Sequence, residues 1–317
     1  MSSDAPRDHG GGLDAAAARF GGARRDWIDL STGINPVPYP IGSFDQSDWT
    51  ALPDAGAFYA LNAAARAFWK VPEGAAILPA PGASAIIARI PALANAARVD
   101  ISTPTYNEHG AAFHAQGWEI SSDGASARVL VHPNNPDGRV WSERDVTAPL
   151  SIIDESFCDI SPDQSLIKLS DRKGVVVLKS FGKFWGLAGL RLGFAIGDPD
   201  LISKLGAFIG PWAVSGPALR IGAAALNDTD WADVTRMRLG GDALRLDALM
   251  KAHGASVVGG TPLFRLYDVG DAERWQERLA QAQIWSRIFP YSKSWLRLGL
   301  PAPDQWVRLS AALSTAP

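Results

Sequence analysis

The sequence predicts an α/β protein whose larger domain contains a mainly parallel, seven-stranded sheet. Seven short apolar runs of strand length lie between residues 75 and 197, and helix-like stretches separate several of them. Some of these runs are apolar throughout, which is typical of strands that are buried on both faces of a parallel sheet. Alternation of such strands with helices indicates the α/β class. The runs are Ala76–Pro79, Val99–Ser102, Trp118–Ser121, Arg128–His132, Ser151–Asp154, Val175–Ser180 and Gly193–Ile196.

The connections between these strands are predicted to be partly helical. Helix candidates include Ala83–Ala96 and Tyr106–Gln116. The stretch from Glu143 to Ser151 is short for a helix that crosses between parallel strands, so the form of that connection stays open.

After Pro217 the pattern changes to that of a second, smaller α+β domain. The segments there are a helical stretch, a strand, a helix and two further strands: Trp231–His253, Pro262–Tyr267, Ala272–Gln283, Ile284–Phe289 and Trp295–Leu298. Near the other end, Leu13–Phe20 fits a short helix, and residues 34–40 must be extended because proline disfavours helix in the preceding residue. We therefore predict an N-terminal arm of residues 1–40, a large domain of residues 41–215 and a small C-terminal domain of residues 216–317.

Composition and charge exclude several classes of function. The 317 residues are 47% hydrophobic and 20% charged, as in ordinary globular proteins. A net charge of -3, from 30 Lys and Arg against 33 Asp and Glu, gives no electrostatic basis for binding nucleic acid or an anionic membrane. Cys158 is the single cysteine, which excludes an intrachain disulfide and disfavours a cysteine-based zinc site. No apolar run reaches the roughly 18 residues of a membrane span, and the first residues lack the apolar core of a signal peptide. We expect a cytoplasmic protein without a metal.

Three polar features follow predicted strands of the large domain. Pro81–Ser84 opens a helix whose free backbone N–H groups suit an anion, although ordinary capped helix starts look the same. His132–Gly138 has the Pro, Asn and Gly content of a turn. Asp154 ends an apolar strand, and a buried carboxylate needs a partner; an ion pair or a helix cap would be the structural alternatives.

Lysine and arginine residues in apolar surroundings are the remaining candidates. Lys183 follows a buried strand within a segment rich in Phe, Trp and Leu. Apolar surroundings lower the pKa of a lysine amine, as covalent catalysis by an amine requires. Arg287 and Arg297 lie ten residues apart in strand-like apolar runs. A guanidinium in such a place needs an anionic partner, and carboxylate and phosphate are both suitable.

In combination, these features resemble the fold-type I pyridoxal-phosphate enzymes of the aspartate aminotransferase superfamily. Within that superfamily the sequence is most similar to the threonine-phosphate decarboxylase branch of cobalamin biosynthesis, which is related to the histidinol-phosphate aminotransferases. The superfamily motifs occur in the expected order and spacing: Asn135-Pro136-x-Gly138, Asp154-Glu155, and Ser180-x-x-Lys183 with Arg191 eight residues later. Three stretches carry the closer resemblance: Asp8–Gly11, Ser31–Pro36, and Asp154–Phe157 with Asp159.

The resemblance implies a role for each matching residue. Lys183 would bind pyridoxal 5′-phosphate covalently, Asp154 would keep its pyridine nitrogen protonated, and Tyr106 would stack on its ring; these three would be the catalytic residues. Asn135 would bind the ring 3′-oxygen, and Arg297 would bind the substrate α-carboxylate. The cofactor phosphate would be held by Gly82, Ala83, Ser84, Ser180 and Arg191. The substrate pocket would be completed by Arg287, which would face the substrate phosphate, and by Asn135, His9, Gly10 and Gly33, so that the N-terminal arm would contribute to the site.

Two positions depart from the pattern of the family. Many relatives have a tyrosine where this sequence has Phe157, which removes a hydrogen bond to the cofactor 3′-oxygen and favours the decarboxylase branch. A Tyr-Pro-Asp stretch that lends a tyrosine to the neighbouring subunit's cofactor is replaced here by Leu52-Pro53-Asp54. A homodimer is still expected. Whether a tyrosine of one subunit contacts the cofactor of the other, and whether Tyr59 replaces the missing tyrosine, stays open.

The activity that the resemblance implies is decarboxylation of O-phospho-L-threonine to (R)-1-amino-2-propanol phosphate. The alternative is an aminotransferase acting on a phosphorylated amino acid such as histidinol phosphate. The same cofactor supports loss of CO2 or of a proton, and the orientation of the substrate decides between them. The presence of Lys183 and Asp154 argues against a non-catalytic binding protein. A Rossmann dehydrogenase is excluded because no Gly-x-Gly-x-x-Gly follows the first strand.

Overall fold

Helices and strands alternate along much of residues 9–314, the part of the chain that the computed structural model describes. None of the described helices is both long enough and apolar enough to span a membrane. The helices are α1 (Leu13–Phe20), α2 (Gln46–Thr50), α3 (Ala55–Trp69), α4 (Ala83–Ile87), α5 (Asn107–Ala115), α6 (Pro199–Ile209), α7 (Gly216–Asn227), α8 (Thr229–Ala252), α9 (Ala272–Gln281) and α10 (Trp306–Ser314). The strands are β1 (Ile28–Asp29), β2 (Ala76–Ala80), β3 (Arg98–Ile101), β4 (Glu119–Ile120), β5 (Ala127–Val131), β6 (Leu150–Asp154), β7 (Val175–Ser180), β8 (Gly193–Gly197), β9 (Ser256–Thr261), β10 (Phe264–Asp268), β11 (Ile284–Trp285), β12 (Arg287–Phe289) and β13 (Ser292–Gly299).

The chain divides into a larger and a smaller unit. The larger unit is Pro38–Thr235, and the smaller unit contains the described residues up to Val37 and from Arg236 onward. The second boundary lies within α8, whereas the sequence predicts it at residues 215/216. The difference arises because α7 packs against α3 of the larger unit. Contact between these two helices is close at Gly222, where a Cβ atom would lie 2.9 Å from Cδ1 of Leu61.

The larger unit contains a seven-stranded sheet with the order β2-β8-β7-β6-β5-β3-β4. Strand β8 is antiparallel to both of its neighbours, and the other neighbouring strands are parallel to one another. Each of the seven apolar runs overlaps one of these strands. The predicted α/β class and the mainly parallel sheet are therefore confirmed.

Apolar side chains from the sheet and its helices form one core in the larger unit. Strand β6 is buried along its whole length, and β7 is buried except for its last residue, Ser180, which is partly buried. Burial on both faces explains why these strands carry apolar residues at consecutive positions. Core residues include Ile86, Ile90, Val99, Phe113, Val129, Ile152, Val176 and Leu178.

Two connections in the larger unit differ from a regular helical crossover. Helix α4 ends at Ile87 instead of continuing to Ala96 as predicted, and a short 3-10 helix, Ile90–Leu93, follows it. Pro91 accounts for the correction, because proline has no N–H and its ring clashes with the carbonyl four residues earlier in a helix. Between β5 and β6, where the sequence left the connection open, the fully described residues 132–149 contain a 3-10 turn and no α-helix.

The smaller unit contains a four-stranded antiparallel sheet, with the order β12-β13-β10-β9, and the parallel strand pair β1-β11. Helix α1 has the predicted bounds, and α8, α9 and β10 to β13 overlap the predicted segments. Strand β9 is not predicted, because Gly259 and Gly260 interrupt its apolar pattern. A Cβ atom at Gly260 would lie 2.4 Å from the carbonyl oxygen of Phe264 on β10, so this close pairing requires glycine.

Candidate active site

A cavity of about 120 Å3 lies at one edge of the sheet in the larger unit. The carboxyl ends of β2, β3, β5, β6 and β7 meet at this edge, so side chains that follow different strands converge there. Every residue predicted to bind the cofactor lines the cavity except Gly82, which directly precedes the lining residue Ala83. The lining residues are Ala83, Ser84, Ile87, Tyr106, Val131, Asn135, Asp154, Ser156, Phe157, Ser180, Gly182, Lys183, Ala188 and Arg191.

Asp154 is a buried carboxylate that is held in its ionised form. Its Oδ2 lies 2.8 Å from Nε2 of His109, and its Oδ1 accepts hydrogen bonds from the backbone N–H and the hydroxyl of Ser156, at 3.0 and 2.6 Å. Burial by itself raises the pKa of Asp154, but the hydrogen bond and charge of His109, followed by the bonds from Ser156, lower it below its usual value. A negative charge is therefore maintained at the end of β6.

Lys183 lies three residues beyond β7, in the apolar surroundings that the sequence predicts. Its Nζ is 5.2 Å from the centre of the Phe157 ring. Neighbouring aromatic residues, Phe181, Phe184 and Trp185, are fully buried. The amine thus borders the cavity from its apolar side.

Lys179, four residues earlier, is the other lysine near this edge, but its surroundings are ionic. Its Nζ lies 2.7 Å from a carboxylate oxygen of Glu155 and 3.2 Å from one of Asp159, and all three side chains are buried. Burial alone would lower the pKa of Lys179, but the two carboxylates more than offset this and raise it above its usual value. Lys179 is therefore a permanent cation, unlike the uncharged amine that forms a covalent bond with a carbonyl.

One end of the cavity is suited to a phosphate group. Ala83 and Ser84 begin α4 there, and the side chain of Arg191 lies beside Gly82. A Cβ atom at Gly82 would be 2.5 Å from Nη2 of Arg191. The backbone φ of Gly82 is 85°, a conformation that favours glycine. The hydroxyl of Ser180 completes this group of donors.

Tyr106 and Asn135 lie in two different loops, which hydrogen bonds of the Asn134 side chain link to each other. The Asn134 side-chain amide donates to the carbonyl of Pro104 at 3.0 Å and to Asp137 at 2.7 Å. Its side-chain oxygen accepts from the hydroxyl of Thr105 at 2.5 Å. This network fixes the position of the loop that carries Tyr106 relative to the turn that carries Asn135.

The chemical groups of the cavity fit pyridoxal 5′-phosphate. The carboxylate of Asp154 suits a protonated pyridine nitrogen, and the amine of Lys183 suits an aldehyde. Arg191 and the hydroxyls of Ser84 and Ser180 suit a phosphate. The roles of the individual residues stay predictions.

Arg287 and Arg297 lie directly opposite each other in the smaller unit. They are register partners on the antiparallel strands β12 and β13, so their side chains leave the same face of the sheet. Arg297 is buried, and its Nη2 donates to the carbonyl of Ser31 at 2.6 Å. Like charges at directly opposite positions are unfavourable in a sheet, which indicates that this pair is arranged for anions.

The N-terminal residues predicted to line the substrate pocket lie in the same unit. Gly10 packs so closely on Ser31 that a Cβ atom would be 2.6 Å from the Ser31 carbonyl oxygen. The Ser31 hydroxyl also accepts a hydrogen bond from Gly11 at 2.6 Å. Since Arg297 contacts the same Ser31 carbonyl, this segment lies next to the arginine pair. His9 is exposed and Gly33 is buried.

His109 and Ser156 are functional candidates that the sequence analysis missed. Both contact Asp154; His109 lies outside every motif that the resemblance used, and Ser156 lies within the stretch Asp154–Phe157 but carries no predicted role there. The available signal was spacing: His109 lies three residues after Tyr106 on α5, and their rings are 6.0 Å apart. Tyr106 is the N-cap residue of α5 and lines the cavity, and His109 lies in the first turn of this helix, from which it reaches Asp154.

His132, Glu155 and Cys158 bring potential metal ligands within 4.8 Å of one another. The geometry does not favour a metal there. His132 uses both ring nitrogens, one facing the carbonyl of Gln164 at 2.7 Å and one accepting from the N–H of Trp141 at 2.9 Å. Glu155 is bound to Lys179.

The fold, together with a cavity lined by a strand-end aspartate and a lysine beyond the next strand, is that of a fold-type I pyridoxal-phosphate enzyme. Comparison with known proteins agrees with this class. The family model "Aminotransferase class I and II" matches residues 119–313, and the chain belongs to this family.

Relatives that match nearly the whole length of the chain are consistent with this class. The chain is 39% identical to a threonine-phosphate decarboxylase of Sinorhizobium sp, over 95% of each chain. It is 37% identical to a threonine-phosphate decarboxylase of Pseudomonas aeruginosa, over 96% of this chain and 97% of the relative. A histidinol-phosphate aminotransferase of Sinorhizobium meliloti, solved with pyridoxal-5′-phosphate, shares the fold with a TM-score of 0.83 at 20% identity, over 98% of this chain and 94% of that one. The resemblance and the cofactor predicted from the sequence are confirmed.

Proposed function

We propose that this chain is a pyridoxal-phosphate-dependent lyase that decarboxylates O-phospho-L-threonine to (R)-1-amino-2-propanol phosphate, a step in cobalamin biosynthesis. The observation that carries the proposal is the pair Arg287 and Arg297 at directly opposite positions of β12 and β13. Two guanidinium groups side by side suit a substrate with two anionic groups, an α-carboxylate and a phosphate. The full-length similarity to two threonine-phosphate decarboxylases supports the choice of reaction.

The larger unit supplies the groups that hold the cofactor. Pyridoxal phosphate, when bound, provides the ring that accepts the electrons left at Cα when the bond to the carboxylate breaks. Asp154 would keep a proton on the pyridine nitrogen, because its ionised carboxylate is stabilised by His109 and Ser156. Lys183 would hold the cofactor through its amine. Tyr106 would lie against the ring, and Asn135 would bind the 3′-oxygen.

The smaller unit supplies the groups that recognise the substrate. Arg297 binds the α-carboxylate, and its guanidinium is oriented by the bond to the carbonyl of Ser31. Arg287 binds the phosphate that distinguishes O-phospho-L-threonine from L-threonine. Gly10 and Gly33 allow the backbone of the N-terminal arm to approach the substrate closely. His9, which is exposed, would complete this side of the substrate pocket.

The proposal is tested by incubating the holoenzyme with O-phospho-L-threonine, with and without a keto acid, and measuring both CO2 and amino transfer. We expect CO2 release that does not depend on the keto acid. Amino transfer without CO2 release would instead establish the alternative, an aminotransferase of a phosphorylated amino acid.

The arginine assignment is tested by comparing kcat/KM for O-phospho-L-threonine and L-threonine in Arg287→Ala and Arg297→Ala. Charge-assisted contacts contribute about 1.5–3 kcal/mol, so Arg287→Ala should lose about 10- to 150-fold on the phosphorylated substrate and far less on L-threonine. Arg297→Ala should weaken both, since both substrates carry the carboxylate. The exposed Arg144→Ala is the matched control. Equal losses on both substrates in Arg287→Ala would show that this arginine does not bind the phosphate.

We also propose a homodimer, formed through an apolar surface of the larger unit. Trp49, Leu52 and Tyr59 are 68%, 69% and 77% exposed on and between α2 and α3. Large exposed apolar side chains that occur close together mark protein interfaces. Light scattering should give the mass of two chains for the protein and of one chain for Leu52→Glu with Tyr59→Glu. A monomeric parent protein would refute the proposal.

A further inference from the structure

Three consecutive glycines, Gly10 to Gly12, connect His9 to helix α1. A run of glycines has more backbone freedom than any other sequence, and it has no side chains that could fix it to a neighbour. The proposed function nevertheless assigns His9 and Gly10 to the substrate pocket. A backbone segment contributes most to binding when it is already held in its bound conformation. The contacts that hold these glycines therefore bear on the reaction.

Both backbone polar groups of Gly11 form hydrogen bonds with side chains of the smaller unit. Its N–H donates to Oγ of Ser31 at 2.6 Å. Its carbonyl oxygen accepts from the indole N–H of Trp285 at 2.9 Å, across 274 residues of the chain. Two bonds to one residue, one on its N–H and one on its carbonyl, fix both the position and the orientation of the segment.

Asp29 fixes the hydroxyl that holds Gly11. The hydroxyl and the backbone N–H of Ser31 both donate to Oδ1 of Asp29, at 2.6 and 2.9 Å. Because a hydroxyl has a single proton, its donation to Asp29 leaves the lone pairs of Oγ to accept the N–H of Gly11. Ser31 is 1% exposed, so water competes little for these bonds. The carboxylate of Asp29 thus sets the direction of the whole chain of bonds.

Ser31 also connects the glycine segment to Arg297, the residue proposed to bind the substrate carboxylate. The carbonyl oxygen of Ser31 accepts from Nη2 of Arg297 at 2.6 Å. Gly10 lies against the same carbonyl, where a Cβ atom would be 2.6 Å from the oxygen. A shift of Ser31 or Gly11 would therefore move Gly10 relative to the guanidinium of Arg297.

The ring and the N–H of Trp285 make different contacts. The ring packs on Phe20 of α1 and on Trp27, with ring centres 6.3 and 6.2 Å apart. Trp27 packs on Phe20 in the same way, at 6.4 Å, and its own indole N–H donates to the carbonyl of Gly21 at 3.2 Å. Both tryptophans thus support α1 through their rings and donate to a glycine carbonyl. Of the two, Trp285 is the one bonded to the segment assigned to the substrate pocket.

We propose that Asp29, Ser31 and Trp285, here called the arm anchor, are positioning residues for the reaction, because they hold Gly11 so that His9 and Gly10 lie beside Arg297. The inference rests on the proposed function, which gives these three side chains no contact with substrate or cofactor. Weakening the arm anchor leaves only a fraction of the molecules with the arm in place, and the apparent affinity for substrate falls by that fraction. A saturating substrate restores the arm, so the turnover rate is kept.

The test compares Trp285→Phe, which removes the N–H and keeps an aromatic ring, with the matched control Trp27→Phe. One hydrogen bond contributes enough for KM of the holoenzyme for O-phospho-L-threonine to rise about 2- to 12-fold in Trp285→Phe. We expect kcat and the absorption spectrum of the bound cofactor to stay those of the parent. Ser31→Ala, a smaller change that removes the other bond to Gly11, should raise KM in the same range. Trp27→Phe should leave KM unchanged.

Hydrogen exchange measured by mass spectrometry, without substrate, gives a second readout on peptides that cover residues 9–12. Exchange there should be faster in Trp285→Phe and Ser31→Ala than in the parent, and unchanged in Trp27→Phe. The arm anchor is overturned if the parent is active and neither anchor variant raises KM or speeds this exchange, or if Trp27→Phe raises KM as much as Trp285→Phe. A parent that releases no CO2 from O-phospho-L-threonine overturns the proposed function, and the substrate role of the arm anchor fails with it.

Discussion

Replacing Lys179 by methionine should strongly destabilise the protein, because it leaves two buried carboxylates without their cation. Lys179 is 1% exposed, Glu155 0% and Asp159 4%. Breaking a buried ion pair by removing one partner costs about 3–5 kcal/mol. We expect this range and not a larger one, since both carboxylates keep other donors. The indole N–H groups of Trp69 and Trp185 still bind Asp159, at 2.9 and 3.1 Å.

Lys168→Met is the matched control. Lys168 also pairs with a glutamate, Glu143, but their side chains are 65% and 42% exposed. Exposed pairs contribute only about 0–1 kcal/mol, so the control should unfold almost as the parent does. The difference between the two variants therefore measures the burial of the ion pair.

Urea unfolding followed by far-UV circular dichroism gives the free energies of unfolding for the two variants and the parent. Because the pKa of Lys179 is raised on folding, its stabilisation is complete below the unfolded value of about 10.4 and is lost as the pH rises through the folded value. The parent should thus approach the variant in stability in strong alkali. If Lys179→Met is no less stable than Lys168→Met, the reasoning about the buried cation fails.

Three further predictions concern the cavity. Lys183→Ala should have no turnover. Borohydride should fix the cofactor to the chain of the parent and not to that of the variant, as measured by mass spectrometry. Cofactor fixed at Lys179 would contradict this prediction. Asp154→Asn should keep cofactor but lower kcat about 10²- to 10⁴-fold in a CO2-release assay, by analogy with the loss of a partly buried ion pair; near-normal turnover would refute its role. His109→Leu removes a 2.8 Å bond that helps to lower the pKa of Asp154, and stability from a lowered carboxyl pKa is lost as the pH falls. This variant should therefore be less stable than the parent to urea near neutral pH, and the difference should shrink as the pH falls; equal stabilities at neutral pH would count against it.

The sheet could be predicted from the sequence because its strands are buried on both faces. Each of the seven apolar runs overlaps a strand, and the run Val175–Ser180 has the observed bounds. Prediction failed where local chemistry opposed the pattern. Pro91 ends the helical run after Ile87, and the glycines of β9 hide a strand that forms only by close pairing with β10.

The residues that line the cavity of the larger unit could be found because each motif follows a strand. Their convergence in one cavity requires only that the strands are parallel. The contacts of Asp154 could not be predicted in this way, because His109 comes from a helix 45 residues earlier. The pairing of Arg287 with Arg297 was equally hidden, since it depends on the register of a hairpin with an irregularity between Ile288 and Phe289.

Strand alternation explains why Asp154, and not its neighbour Glu155, lines the cavity. Successive side chains of a strand point to opposite faces, so two adjacent carboxylates at the end of β6 enter different surroundings. Asp154 lines the cavity and meets His109, whereas Glu155 is fully buried against Lys179. The same alternation separates Ser180, which lines the cavity, from Lys179, which does not. One face of the strand ends thus carries the ionised group that a cofactor ring needs, while the other neutralises its charges internally and holds β6 and β7 together.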